Sequence, residues 1–61
     1  MKNFFITRNE NKIIDGVEFS NGKCVLCWLS EVSSLIYHEN IENVIKIHCN
    51  SSYGSSELIY Y

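Results

Sequence analysis

With 61 residues and five Lys and Arg against seven Asp and Glu, the chain has room for one domain and carries a net charge of −2, with its cations (Lys2, Arg8, Lys12, Lys23, Lys46) scattered. That scatter argues against a nucleic-acid partner, which calls for a basic stripe, and 46% hydrophobic content argues against a disordered chain. Three cysteines, no basic start leading into an apolar run and no apolar stretch near 18 residues disfavour a disulfide framework, a secretory leader and a membrane span, so the expectation is a cytoplasmic protein with reduced thiols.

In chain order, Phe4-Phe5-Ile6-Thr7 predicts a short first strand, closed by the polar run Arg8 to Lys12. Ile13 to Ser20 and Lys23 to Leu29 predict the second and third strands, joined at Asn21-Gly22, the residue pair that best supplies the two positive φ values of a type I′ turn. Residues 30–34 read as a loop, and Leu35 to His38 as a fourth strand of β-branched and aromatic character. Asn40 is a good N-cap for a helix from 41 to 49, with Glu42 in its first turn, Ile41, Val44, Ile45 and His48 on one face, and Asn50 as its stop. Glu42 and Lys46 form an i,i+4 pair on the outer side. A loop over 51–55 and a closing strand over 56–61 complete an α+β fold: an antiparallel sheet of four to five strands around the Asn-Gly hairpin, with one helix in the C-terminal half packed on one face.

A two-residue turn at Asn21-Gly22 would set Phe19 opposite Cys24, Val17 opposite Leu26 and Asp15 opposite Trp28, an apolar face suited to the helix. The other face, pairing Glu18 with Val25, Gly16 with Cys27 and Ile14 with Leu29, is also largely apolar, although one helix covers one side only. An oligomer interface on that second face explains the pattern and supports a small core; a loosely polar outer face is the alternative.

Cys24-x-x-Cys27 with His48-Cys49 resembles zinc spacing, but residues three apart on a strand point to opposite faces, which disfavours both a metal and a redox pair. A cysteine hydrolase would need an orienting group and an oxyanion pocket that nothing in the chain locates, so the reading is of a non-enzyme with no cofactor and no metal. His48 reads either as a core histidine or as a donor in a pocket between the helix end and the sheet. Trp28 carries the same two readings, and Tyr37 belongs to a set of four tyrosines whose amphipathic rings suit an interface or a ligand pocket. Arg8, the single arginine, is the natural clamp for a phosphate or carboxylate, with Glu10 and Asp15 near it in sequence to orient it or to accept from a ribose hydroxyl.

The residues Thr7-Arg8-Asn9-Glu10-Asn11, Gly16-Val17-Glu18-Phe19-Ser20-Asn21-Gly22, Leu26-x-Trp28-Leu29, Ser34, Leu35, Tyr37, Ile41-Glu42-Asn43-Val44 and Ile47-His48 together resemble a family of small phage- and prophage-associated proteins. Its members read roughly GVxFxDGxxxLxWL, then S, then IEDVxxIHGHxG, then IxW, and the likeness covers nearly the whole chain. The family's His-Gly-His is His48-Cys49-Asn50 here, so a two-histidine site does not carry over, and the loop after the first strand is shorter. The resemblance implies a small α+β protein of phage association and supplies no activity of its own.

With no catalytic constellation and polar groups set beside aromatics, the leading expectation is a phage-type binding protein. It would counter host defence by sequestering a small nucleotide-like signal in a homo-oligomer, through Arg8, Glu10, Asp15, Trp28, Tyr37 and His48. The rival is an inhibitor that caps a host enzyme through the apolar second face or an edge strand, and a third reading is a structural or assembly factor.

Overall fold

The polar run after the first strand is two residues long where it matters. Asn9 and Glu10 both have positive φ (52° and 71°), the signature of a type I′ turn, and Arg8 and Asn11 pair across it. The computed structural model describes residues 1–30, 34–49 and 55–61, and in it this turn joins β1 (Lys2–Arg8) to β2 (Asn11–Glu18). Three more strands come after it, β3 (Cys24–Trp28), β4 (Leu35–His38) and β5 (Ser56–Tyr60), with α1 (Ile41–His48) between the last two. The expected loop over 30–34 lies partly outside the described residues, and the helix stop at Asn50 and the loop over 51–54 lie wholly outside them.

All strands are antiparallel, in the order β4-β3-β2-β1-β5. The first four form a meander, and α1 then carries the chain across one face so that β5 pairs with β1 at the opposite edge. Asn9 fixes that return: its N–H donates to the Ser55 carbonyl at 2.8 Å, and its Oδ1 accepts from the Ser55 N–H at 3.4 Å.

The Asn21-Gly22 hairpin is not the two-residue turn that its sequence predicts. Gly22 alone is left-handed, at φ +89°, and Asn21 is not. The Gly22 N–H donates to the Phe19 carbonyl (2.9 Å) and the Phe19 N–H to the Lys23 carbonyl (2.8 Å), which leaves three residues in the loop. Asn21 closes it from the side chain, its Oδ1 accepting from the Lys23 N–H at 3.1 Å. One added loop residue shifts the register by one and turns every β2 side chain to the other face. Asp15 therefore pairs with Cys27, not Trp28, and Val17 with Val25, not Leu26. Phe19, expected in the core, is 39% exposed.

The face beneath α1 carries Phe4, Ile6, Ile14, Cys24 and Leu26, all fully buried together with Val44 of the helix. Gly16 lies among them because a Cβ there would overlap the end of the Phe4 ring. At the edge of this face Tyr60 packs edge-on against Phe4 and donates from its hydroxyl to Glu18 at 2.7 Å; burial and this carboxylate push the phenol up to about 12. A bulge in β2, where Ile6 pairs with Ile14 but Thr7 with Lys12, turns the strand between its turn and its core segment.

The helix begins as expected, with Asn40 Oδ1 accepting from the Asn43 N–H at 2.9 Å, and ends at His48 with Cys49 as its cap. Ile41, Val44 and His48 face the sheet, but Ile45 is 45% exposed: eight residues touch a flat sheet along a strip too narrow to include the flank. The face without a helix exposes Phe5, Val17, Val25, Tyr37, Ile59 and Tyr61 in part or in full.

Two substitutions test this register. Glu10→Gly relieves a left-handed side chain worth roughly 1–2 kcal/mol, less the ~0.4–1 kcal/mol of added freedom in the unfolded chain. We expect the urea midpoint and Tm to rise; an unchanged or lower Tm would show that Glu10 is not strained. Gly16→Ala drives a methyl into the Phe4 ring and should destabilise by about 1–3 kcal/mol in urea unfolding, with Phe4→Leu in the same chain recovering part of the loss. A neutral Gly16→Ala would mean that this face of β2 does not pack on Phe4.

Candidate functional site

Three chain segments meet where α1 ends. Arg8 is the last residue of β1 and, through its pairing with Ser56, lies on the helix side at the edge formed by β5. Its Nε donates to Ser56 Oγ at 3.3 Å and its Nη2 to the His48 carbonyl at 3.4 Å. A cation on the last carbonyls of a helix is where the helix dipole favours positive charge, so Arg8 ties the end of α1 to the β1–β5 edge.

His48 stands one turn beyond Val44 on the buried strip and is 7% exposed. Its ring packs edge-on against Trp28 (centroids 5.6 Å apart, 70° between planes) and against His38 (5.2 Å, 84°). The Nε2 atoms of the two histidines lie 3.1 Å apart. Strand alternation and the pairing of Cys24 with His38 bring His38 to the helix side, and the Asn40 cap returns the helix over it. Burial chiefly, then His38 and Arg8, lower the His48 pKa and favour its neutral form.

Arg8, Trp28, Ile47 and His48 line a cleft of about 270 Å³. It presents a guanidinium, an indole, an imidazole and an aliphatic wall, a set suited to a planar ring with an attached anion. At neighbouring Cys49, burial pushes the thiol up against the opposing pull of Arg8.

Of the six residues singled out from sequence, Arg8, Trp28 and His48 gather here. Glu10 sits in the β1–β2 turn and lines a different cleft with Thr7, Ser55, Glu57 and Ile59. Asp15 lies on the helix-free face, 2.8 Å from Lys12 Nζ, so it neither faces Trp28 nor orients Arg8. Tyr37 is 52% exposed on the edge strand β4, opposite Val25 on that same helix-free face. Sequence reasoning missed His38. The signal was alternation with Ile36, but using it required the β3–β4 register, which the loop between them does not declare. Cys24 and Cys27 point to opposite faces, as a strand requires. No helix among the described residues is long and apolar enough to cross a membrane.

A family model described as Acb5 phage protein matches residues 2–61. No curated protein and no solved structure matches the chain.

The Arg8 fork is a mechanical tie with a measurable consequence. Arg8→Lys retains the charge but loses the geometry that reaches Ser56 and His48 together. Amide exchange at Asn9, which donates to the Ser55 carbonyl, and at Cys49, which donates to the Ile45 carbonyl, should rise about tenfold, corresponding to roughly 1.4 kcal/mol of lost local stability. Unchanged protection at both amides would show that Arg8 does not hold this corner.

Proposed function

Because this chain belongs to the Acb5 phage protein family, we propose that it acts for the phage as a binding protein, not as an enzyme, sequestering a small anionic nucleotide-like signal of host defence. The observation that carries this reading is the cleft in which Arg8 and His48 flank the single tryptophan, Trp28. An indole offers a base a stacking surface worth about 1–3 kcal/mol, and a guanidinium offers a phosphate a planar pair of donors. Among the described residues, the cleft's lining of guanidinium, indole, imidazole and aliphatic groups favours holding a ligand over cleaving it.

Size supports an oligomer. Ligand pockets usually run from about 300 to 1,000 Å³ and cover most of their ligand. One cleft of about 270 Å³ holds part of a nucleotide, so enclosure would need a second chain against the helix side, in an assembly larger than a pair joined by the helix-free face. The helix-free face, with exposed Tyr37, Ile59 and Tyr61 around half-buried Phe5, Val17 and Val25, has the character of a surface that pairs. The same face favours the second reading, in which the protein caps a host enzyme in the host cytoplasm. The two readings differ in which face carries the effect.

Trp28 fluorescence and native mass spectrometry against a panel of cyclic and linear oligonucleotides test the first. We expect saturable binding to a defined oligomer, weakened at least tenfold (~1.4 kcal/mol) by Arg8→Gln with the fold intact by circular dichroism. Tyr37→Asp should dissociate the oligomer and weaken binding with it. A monomer that binds none of the panel, and that protects phage equally with Arg8→Gln but not with Tyr37→Asp, would replace sequestration by capping.

A further inference from the structure

The contact between His38 and His48 is unlike the others at the helix end. At this distance one ring can donate a proton to the other, and with both nitrogens unprotonated the same pair can instead share an ion. Zinc binds imidazole nitrogen at about 2.0–2.1 Å with near-tetrahedral angles, which sets two ligand nitrogens roughly 3.3 Å apart and their ring centroids roughly 5.2 Å apart. The observed separations are 3.1 Å and 5.2 Å, with the rings nearly perpendicular at 84°. Closing onto an ion therefore takes a few tenths of an ångström of side-chain movement.

The two rings come from different elements that are already fixed. His38 ends β4, held by pairing with Cys24, and His48 ends α1, held by burial, by the edge of Trp28 and by Arg8 on its carbonyl. Little ordering is left for an ion to impose.

We propose that His38 and His48 form a two-imidazole chelate for a divalent transition-metal ion of the Zn²⁺ class, beside the Arg8–Trp28 cleft. Imidazole suits Zn²⁺, Ni²⁺ and Cu²⁺ over Mg²⁺ and Ca²⁺, which take oxygen. Among the described residues no group of three or more His, Cys, Asp or Glu side chains gathers around a common point. The site is thus an exchangeable one, its remaining positions filled by water or by an anionic oxygen, and not a closed structural centre. The Arg8 charge opposes a bare cation here and favours one that brings an anion with it, so binding should be micromolar. His48 is shared by the chelate and the cleft, so an ion held there would lie beside the cleft. The chelate stands on the histidine geometry alone and does not require the sequestration reading.

The test is a Zn²⁺ titration of the full chain without any nucleotide, followed by long-range imidazole ¹H–¹⁵N spectra and by competition with a chromophoric chelator. We expect saturable Zn²⁺ binding with a micromolar Kd, Nε2 of both histidines shifting together, and at least a tenfold loss of affinity in His38→Gln. That variant keeps a hydrogen-bonding partner for His48 and removes the ligand, and its amide spectrum reports whether the fold persists. His48→Gln should give the same loss, and His38→Ala serves should either glutamine variant fail to fold. No binding below 100 µM Zn²⁺, an unchanged Kd in His38→Gln, or a shift confined to one ring would overturn the chelate and leave a hydrogen-bonded histidine pair.

Discussion

The arrangement of this protein depends on the length of one loop. The β2–β3 loop, with Gly22 at φ +89°, is three residues long, and that count decides which side of β2 meets the helix. Side chains alternate along a strand with period two, so a loop shorter by one residue would send Asp15, Val17 and Phe19 inward and Ile14, Gly16 and Glu18 outward. The structure does the reverse. Ile14 becomes fully buried, Gly16 makes room for the Phe4 ring, and Glu18 is placed to accept from Tyr60.

On the helix side, each fit depends on the one before it. With Phe4 lodged over Gly16, β1 stays close to β2, and the Asn9-Glu10 turn can close in two residues at the cost of a strained Glu10. Asn9 in turn holds Ser55, which sets β5 beside β1. The helix crosses from the β4 edge with only Val44 fully buried, so its position depends on its two ends: the Asn40 cap at one and the Arg8, Trp28, His38 and His48 corner at the other. The candidate site is therefore also a structural joint, and its polar groups are ordered because they hold the helix down.

The helix-free face shows the opposite balance. A chain of this size has one helix for two sheet faces, and the uncovered one retains Phe5, Val17, Val25, Tyr37, Ile59 and Tyr61. Lys12 and Asp15 form an ion pair in their midst, and the Lys12 ammonium stands 5.4 Å from the centre of the Phe5 ring. Both outer strands, β4 and β5, are short and without proline, so each sheet edge also offers unpaired backbone. Sheet face and sheet edge together leave apolar side chains and strand backbone uncovered among the described residues.

Element identity was determined by the sequence alone: β-branched and aromatic runs make strands, Asn40 ahead of an i, i+3, i+7 stripe makes a helix, and both arise from interactions within a few residues. The phage-type resemblance was legible for the same reason, being carried by those local patterns. Register was not, because Asn-Gly suits a two-residue loop and a three-residue one alike, and the choice was made by the packing of Phe4, Ile14 and Leu26 against one another. Tertiary structure also assigned the type I′ turn to Asn9-Glu10, where strand pairing on both sides overrides the local preference of Glu10. The site divides in the same way. Arg8, Trp28 and His48 stand out by chemistry in the sequence, while their meeting, the arrival of His38 and the departure of Glu10, Asp15 and Tyr37 depend on which face each strand residue occupies. That is a non-local quantity, decided only when the whole sheet closes under the helix.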